Sequence, residues 1–109
     1  MATKEKDDPL VPPRGIAEEA TELIYGDREG TYGNPAKNLR AIADFWQVYL
    51  YNLTGTFYTI STDDVCNMLV LMKTARLINA PLHRDSLVDV IGYTLLKERI
   101  AQTQGEGLK

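Results

Sequence analysis

The stretch from residue 62 to residue 78 constrains the fold more than any other. Val65, Cys66, Met68, Leu69, Val70, Leu71, Met72, Ala75, Leu77 and Ile78 make it apolar on almost every side of a helix. A helix of that kind has to be covered all round, which predicts a central position with the other elements packed about it. Ser61 and Asp64 suit a capping box at its start, and Ala80 with Pro81 closes it. Its few charged side chains, chiefly Lys73 and Arg76, then need partners.

Three further helical patterns surround it. Ile16, Ala20, Leu23 and Ile24 recur at three and four, with Glu18, Glu19 and Glu22 on the other side, giving a short helix that ends at Gly26. Asn34 as cap and Pro35 in the first turn start a second helix, reaching about Tyr51, with Leu39, Ile42, Ala43, Trp46, Tyr49 and Leu50 on one stripe. A fourth, from about Arg84 to Gln102, turns Leu87, Val88, Ile91, Leu95 and Ile100 inward. Residues 52 to 60 are rich in β-branched and aromatic types and admit an extended piece, but a single strand would have no partner. The expectation is an all-α, four-helix bundle-like domain over residues 15 to 103. An irregular Gly-rich loop, residues 26 to 35, joins its first two helices. Residues 1 to 14, with Pro9, Pro12 and Pro13 among charges of both signs, read as a disordered tail, and residues 104 to 109 as a frayed end.

Composition narrows the function classes. A chain of 109 residues holds one core, and a formal charge of −3 gives no global attraction to a nucleic-acid backbone, so direct nucleic-acid binding is not expected. Cys66 is the single cysteine, which excludes an internal disulfide and a structural zinc cluster. No apolar run is long enough for a signal peptide or a membrane span, so the expected location is the cytoplasm. A domain this small buries only about 60 to 65% of its unfolded surface, which favours a homo-oligomer, dimer or tetramer.

Two groups of residues carry chemistry. Asp85 and Asp89 stand one turn apart, so their carboxylates share a helix face with Ser86 and Tyr93 alongside. Two such acids suit Mg2+, which phosphoanhydride hydrolysis uses as Lewis acid and activator of water; equally, they suit a helix cap and ion pairs with Lys73 and Arg76. In the loop, Arg28, Tyr32 and the amides around Gly30 and Gly33 lead to the positive end of the second helix, where Asn34 and Lys37 stand, a cradle for phosphates or a plain structural turn. It is neither a Walker A loop nor a dinucleotide fingerprint. His83, Arg84 and Asp85 spell the start of a kinase catalytic loop, but Val90 stands where its Asn belongs and the chain is far too short. His83 is better read as a hydrogen-bonding residue at the helix start, and Cys66 as a core thiol.

The segments YGDREGTYGNP (residues 25 to 35), DDV with MKTARL (within 63 to 77) and HRDSLVDVIGY (83 to 93) resemble a family of small phage and prophage proteins of unknown function, over residues 16 to 100. That family is distantly similar to the MazG-type all-α nucleotide pyrophosphohydrolases and the helical dimeric dUTPases, whose metal-binding helices carry a Glu-Glu-x-x-Glu and a Glu-x-x-Asp motif. The resemblance implies a dimeric or tetrameric helical bundle with a magnesium-dependent site for nucleoside triphosphates. The second motif maps onto residues 86 to 89, where Asp85 offers the carboxylate that Ser86 lacks. Where the first belongs, Lys73 and Arg76 stand instead; Glu18, Glu19 and Glu22 spell it, but far upstream.

Three functions follow. In the first, a phage-encoded MazG-like pyrophosphohydrolase, Asp85 and Asp89 hold Mg2+, with Glu22 or Asp63 as further acids, while Arg28, Lys37 and Lys73 hold phosphates. In the second, a non-catalytic module, Arg28, Tyr32, Lys73 and Arg76 bind a nucleotide without metal. In the third, a helical surface engages a host protein.

Overall fold

The computed structural model describes residues 15 to 26 and 34 to 103. Arg28 and Tyr32, both tails and most of the Gly-rich loop lie outside the described residues. Among those described there are four helices and no strand: α1 (Ile16–Tyr25), α2 (Pro35–Thr54), α3 (Thr62–Asn79) and α4 (Arg84–Thr103). The fold is all-α, and each helix starts within a residue or so of its sequence expectation.

Local chemistry sets the boundaries. The Asn34 side chain accepts a hydrogen bond from the Ala36 amide, and Pro35 at the first helical position has no amide to satisfy. α2 runs three residues beyond Tyr51 and stops at Gly55, whose φ of 78° is the left-handed conformation that glycine adopts without a Cβ penalty. The capping box of α3 is complete: the Ser61 hydroxyl accepts from the Asp64 amide and the Asp64 carboxylate from the Ser61 amide, each at 3.0 Å. Those bonds hold the Asp64 carboxyl below the usual carboxylate range. His83 caps α4, its Nδ1 accepting from the Ser86 amide at 3.3 Å and lying 2.8 Å from the buried Ser86 hydroxyl. At Gly26 a Cβ would collide with the Glu22 carbonyl, so the end of α1 requires glycine.

The packing places α4, not α3, at the centre of the chain. Its row Val88, Gly92, Leu96 and Ile100, spaced four apart, is buried together with Ser86. α1 lies parallel to it: Glu19 pairs with Arg84, the Ile24 side chain rests on Gly92, and the Tyr25 hydroxyl donates to Glu98. α3 runs antiparallel, with Lys73 near Asp85 and Asp89, and Asp63 and Asn67 near Lys97. Residues 55 to 61 have no regular structure and fold back beside α2. There Ile60 donates its amide to Gln47 and accepts from Arg40 at its carbonyl, both at 2.7 Å. The core joins Leu39 and Ala43 of α2, Ile60, Val65 and Cys66 of α3, and Leu96 and Ile100 of α4.

Three sequence expectations need correction. α3 is not central, because Met68, Leu71, Met72 and Ile78 face outward. Tyr49 is exposed although it stands on the α2 stripe, since that helix buries only Leu39 and Ala43. On α4 the inward set is Ser86, Val88, Gly92, Leu96 and Ile100, while Leu87, Ile91 and Leu95 are half-buried.

Candidate functional site

The carboxylate pair is where the sequence put it. Asp85 in the first turn of α4 and Asp89 one turn later both reach toward Lys73 on α3. Lys73 Nζ is 2.8 Å from Asp89 Oδ2 and 3.6 Å from Asp85 Oδ2, and Lys73 is only 7% exposed. The hydrogen bond donated to Asp89 holds the Lys73 ammonium above its usual range. Half-buried Tyr93 completes the cluster; burial first, and the Asp89 charge second, push its hydroxyl up. Behind them Cys66 is wholly buried and its thiol is pushed up to about 11, chiefly by desolvation, so it is a core thiol rather than a nucleophile.

This arrangement bears on metal binding. Asp85 and Asp89 already share a cation, the Lys73 ammonium, which competes for the carboxylate oxygens that a divalent ion would use. Among the described residues no three His, Cys, Asp or Glu side chains come close enough together to hold a metal ion. Asp63 pairs with Lys97 instead, about 12 Å further along α4 than Asp89 at ~1.5 Å per residue. Glu18 and Glu22 are exposed on α1 and join no acid cluster. Among the described residues, the acids do not form a set that fits a resident magnesium ion.

Arg76 does not join Lys73. It is exposed, and no ion pair ties it to Asp85 or Asp89. The start of α2, which the sequence suggests as a phosphate cradle, lies toward the other end of α4. There Asn34, Pro35 and Ala36 at the start of α2 line a cavity of about 110 Å³ together with Arg99, Ile100 and Thr103 of α4. From Asp89 to Arg99 is about 15 Å along the helix at ~1.5 Å per residue. Of the residues singled out in the sequence, Lys73, Asp85 and Asp89 stand together at one end of α4 and Asn34 lines the cavity toward the other, while Arg76 joins neither.

At the cavity, the positive end of α2 is partly spent. Pro35 has no amide, the Ala36 amide goes to Asn34, and the Asn38 amide goes to the Asn34 carbonyl. Lys37, which follows Ala36 in the first turn, is exposed and is not among the residues that line the cavity. Arg99 is the residue that sequence reasoning missed. Its guanidinium donates to the Ile24 carbonyl at 2.8 Å, satisfying the last turn of α1, and its side chain also lines the cavity. Nothing near it in the sequence signals this, because its partners lie 60 or more positions upstream.

An all-helical domain with an ion-paired cluster near one end of α4 and a small cavity near the other is what these residues build. Residues 15 to 101 match the family described as a domain of unknown function, DUF6378, and the chain belongs to that family. It is similar to the Gene 55 protein of Mycobacterium phage D29, 41% identical over 92 residues, covering 84% of this chain and 57% of that protein. It is also similar to the Gene 55 protein of Mycobacterium phage L5, 32% identical over 87 residues, covering 80% of this chain and 53% of that protein. The chain thus spans little more than half the length of these phage relatives. No solved structure matches it. No helix among the described residues is long and apolar enough to cross a membrane.

Proposed function

We propose that the chain is a MazG-like nucleotide-binding protein of phage type that holds phosphates at the start of α2 and does so without a resident metal ion. The observation that carries this reading is the cavity between Asn34, Ala36, Arg99 and Thr103. It combines the positive end of a 20-residue helix with Arg99 in its wall. At about 110 Å³ it suits a phosphate group and is smaller than the roughly 300 Å³ at which pockets for whole small molecules begin. Base and sugar would lie outside it.

Lys37 stands on the first turn of α2. Arg28 and Tyr32, the other residues the sequence offers for a phosphate, lie outside the described residues. The Lys73 ammonium between Asp85 and Asp89 favours binding over magnesium-dependent hydrolysis, since it neutralises the acids that would hold the metal.

The test is a thermal-shift panel of nucleoside mono-, di- and triphosphates with and without magnesium, because a ligand of the folded state raises its apparent stability. The expected result is a magnesium-independent shift with at least one phosphorylated nucleoside, weakened roughly tenfold in Kd by Arg28→Ala or Lys37→Ala, the loss of one charge-assisted contact. A shift that needs magnesium and disappears in Asp89→Asn would instead favour the pyrophosphohydrolase reading. No shift with any nucleotide would overturn both.

A further inference from the structure

We propose that His83 makes the junction of α1, α3 and α4 sensitive to acid: its neutral imidazole caps α4, and proton uptake opens that cap. The inference goes beyond the nucleotide reading and does not rest on it. The His83 carbonyl accepts the first bond of the helix, from the Leu87 amide at 3.1 Å, so His83 is the cap residue itself. Its Nδ1 accepts from the Ser86 amide at 3.3 Å, three positions on, the bond that a serine or aspartate oxygen makes in an ordinary cap. The Ser86 hydroxyl lies 2.8 Å from the same nitrogen. α2 and α3 use Asn34 and Ser61 for this purpose, and neither acceptor changes with pH near neutrality. Histidine does titrate there, and the chain has only one.

The amide donor fixes the state of the ring. Nδ1 accepts only while it carries no proton, so the neutral ring holds its hydrogen on Nε2. A protonated Nδ1 is a donor: it can turn to the Ser86 oxygen, but it faces the Ser86 N–H as donor against donor. The positive end of α4 adds to the opposition, since an imidazolium there meets like charge. Ser86 is 0% exposed, so water does not take over the lost bond, whereas the His83 ring is open to solvent protons.

The acids joined to this turn already have cations. The charged groups about it are Arg84, Asp85 and Asp89 on α4, Glu19 on α1 and Lys73 on α3. Arg84 holds Glu19 at 2.9 Å, and Lys73 holds Asp89 and Asp85 at 2.8 and 3.6 Å. Among the described residues the His83 ring forms no ion pair with any of these or with a side chain of α2. The same pairs tie α1 and α3 to the start of α4, so opening the cap loosens both anchors at once. The stabilisation that the cap supplies is complete where the ring is neutral. It is lost as pH falls through the range in which histidine takes up its proton, about 6.5 for a free side chain.

The test is nuclear magnetic resonance of the nitrogen-15-labelled full chain from about pH 8 to about pH 5, where the one histidine gives one ring spectrum. At the upper pH the ring proton should sit on Nε2. On acidification the ring and the Ser86 amide should change together, the amide proton moving upfield as its bond is lost. Urea denaturation supplies a second readout. His83→Asn keeps a capping oxygen that does not titrate in this range, so the ratio of wild-type to variant unfolding constants should rise about fivefold from about pH 7.5 to about pH 5.5, the scale of one helix cap. A neutral ring with its proton on Nδ1, a Ser86 amide that stays put while the ring titrates, or a ratio independent of pH would each overturn the proposal. The first two need no variant, so they decide the matter even if His83→Asn does not fold.

Discussion

The two ends of α4 are built on opposite plans. At its start, Asp85 and Asp89 meet a cation supplied by the fold, Lys73, and the polar groups are satisfied within the chain. Toward its end, Arg99 is anchored by the Ile24 carbonyl but still lines a cavity, and exposed Lys37 stands in the first turn of α2. The difference shows that a sequence pattern of acids is not a metal site until the cations around it have been placed. Charge of the right sign is used up structurally at one end of the helix, while at the other end the helix lines a small cavity.

Lys73→Met breaks that contrast most severely. It leaves Asp89 without its partner against half-buried surroundings, and stability should fall by about 2 kcal/mol, less than for a fully buried pair because both carboxylates reach solvent. Urea denaturation measures it; a loss below about 0.5 kcal/mol, the scale of ordinary surface substitutions, would show that the pair does not fasten α3 to α4.

The same pair sets an alkaline limit. Because the bond to Asp89 raises Lys73 above its ordinary value of 10.5, its stabilisation is complete below that pH and is lost as pH rises through the higher folded value. Tyr93, raised by burial above 10.0, acts in the same direction. Urea midpoints from neutral to alkaline pH should therefore decline, and Lys73→Met and Tyr93→Phe should each flatten part of the slope. An unchanged slope in both would assign the decline to other groups.

At the open end, Arg99→Met keeps the aliphatic stem and removes the donor to the Ile24 carbonyl, for an expected loss of about 1 kcal/mol. The smallest effect belongs to Lys37→Ala, which is exposed and should change stability by less than about 0.5 kcal/mol while acting on ligand affinity. A destabilised Lys37 variant would mean that this end, too, is internally satisfied, and the contrast would be lost.

Much of the fold was legible because its signals are local. Asn34 with Pro35, and Ser61 with Asp64, fix helix starts through bonds within three residues, and the structure contains both. The i,i+4 spacing of Asp85 and Asp89 placed two acids on one side of a helix, and Lys73 was already a candidate partner. Arg76 was not separable from Lys73 in the sequence, because three positions apart on an apolar helix gives no hint which one turns inward. Arg99 carried no signal at all, since its role depends on a carbonyl 75 positions away.

The sequence by itself determined the four helices of the described residues and where each one starts, since capping, proline placement and apolar periodicity act over a few residues. Only the tertiary structure decided that α4 occupies the middle of the chain and that half of α3 faces outward. A helix apolar on every side has no preferred face of its own; which side is covered depends on the neighbours that reach it.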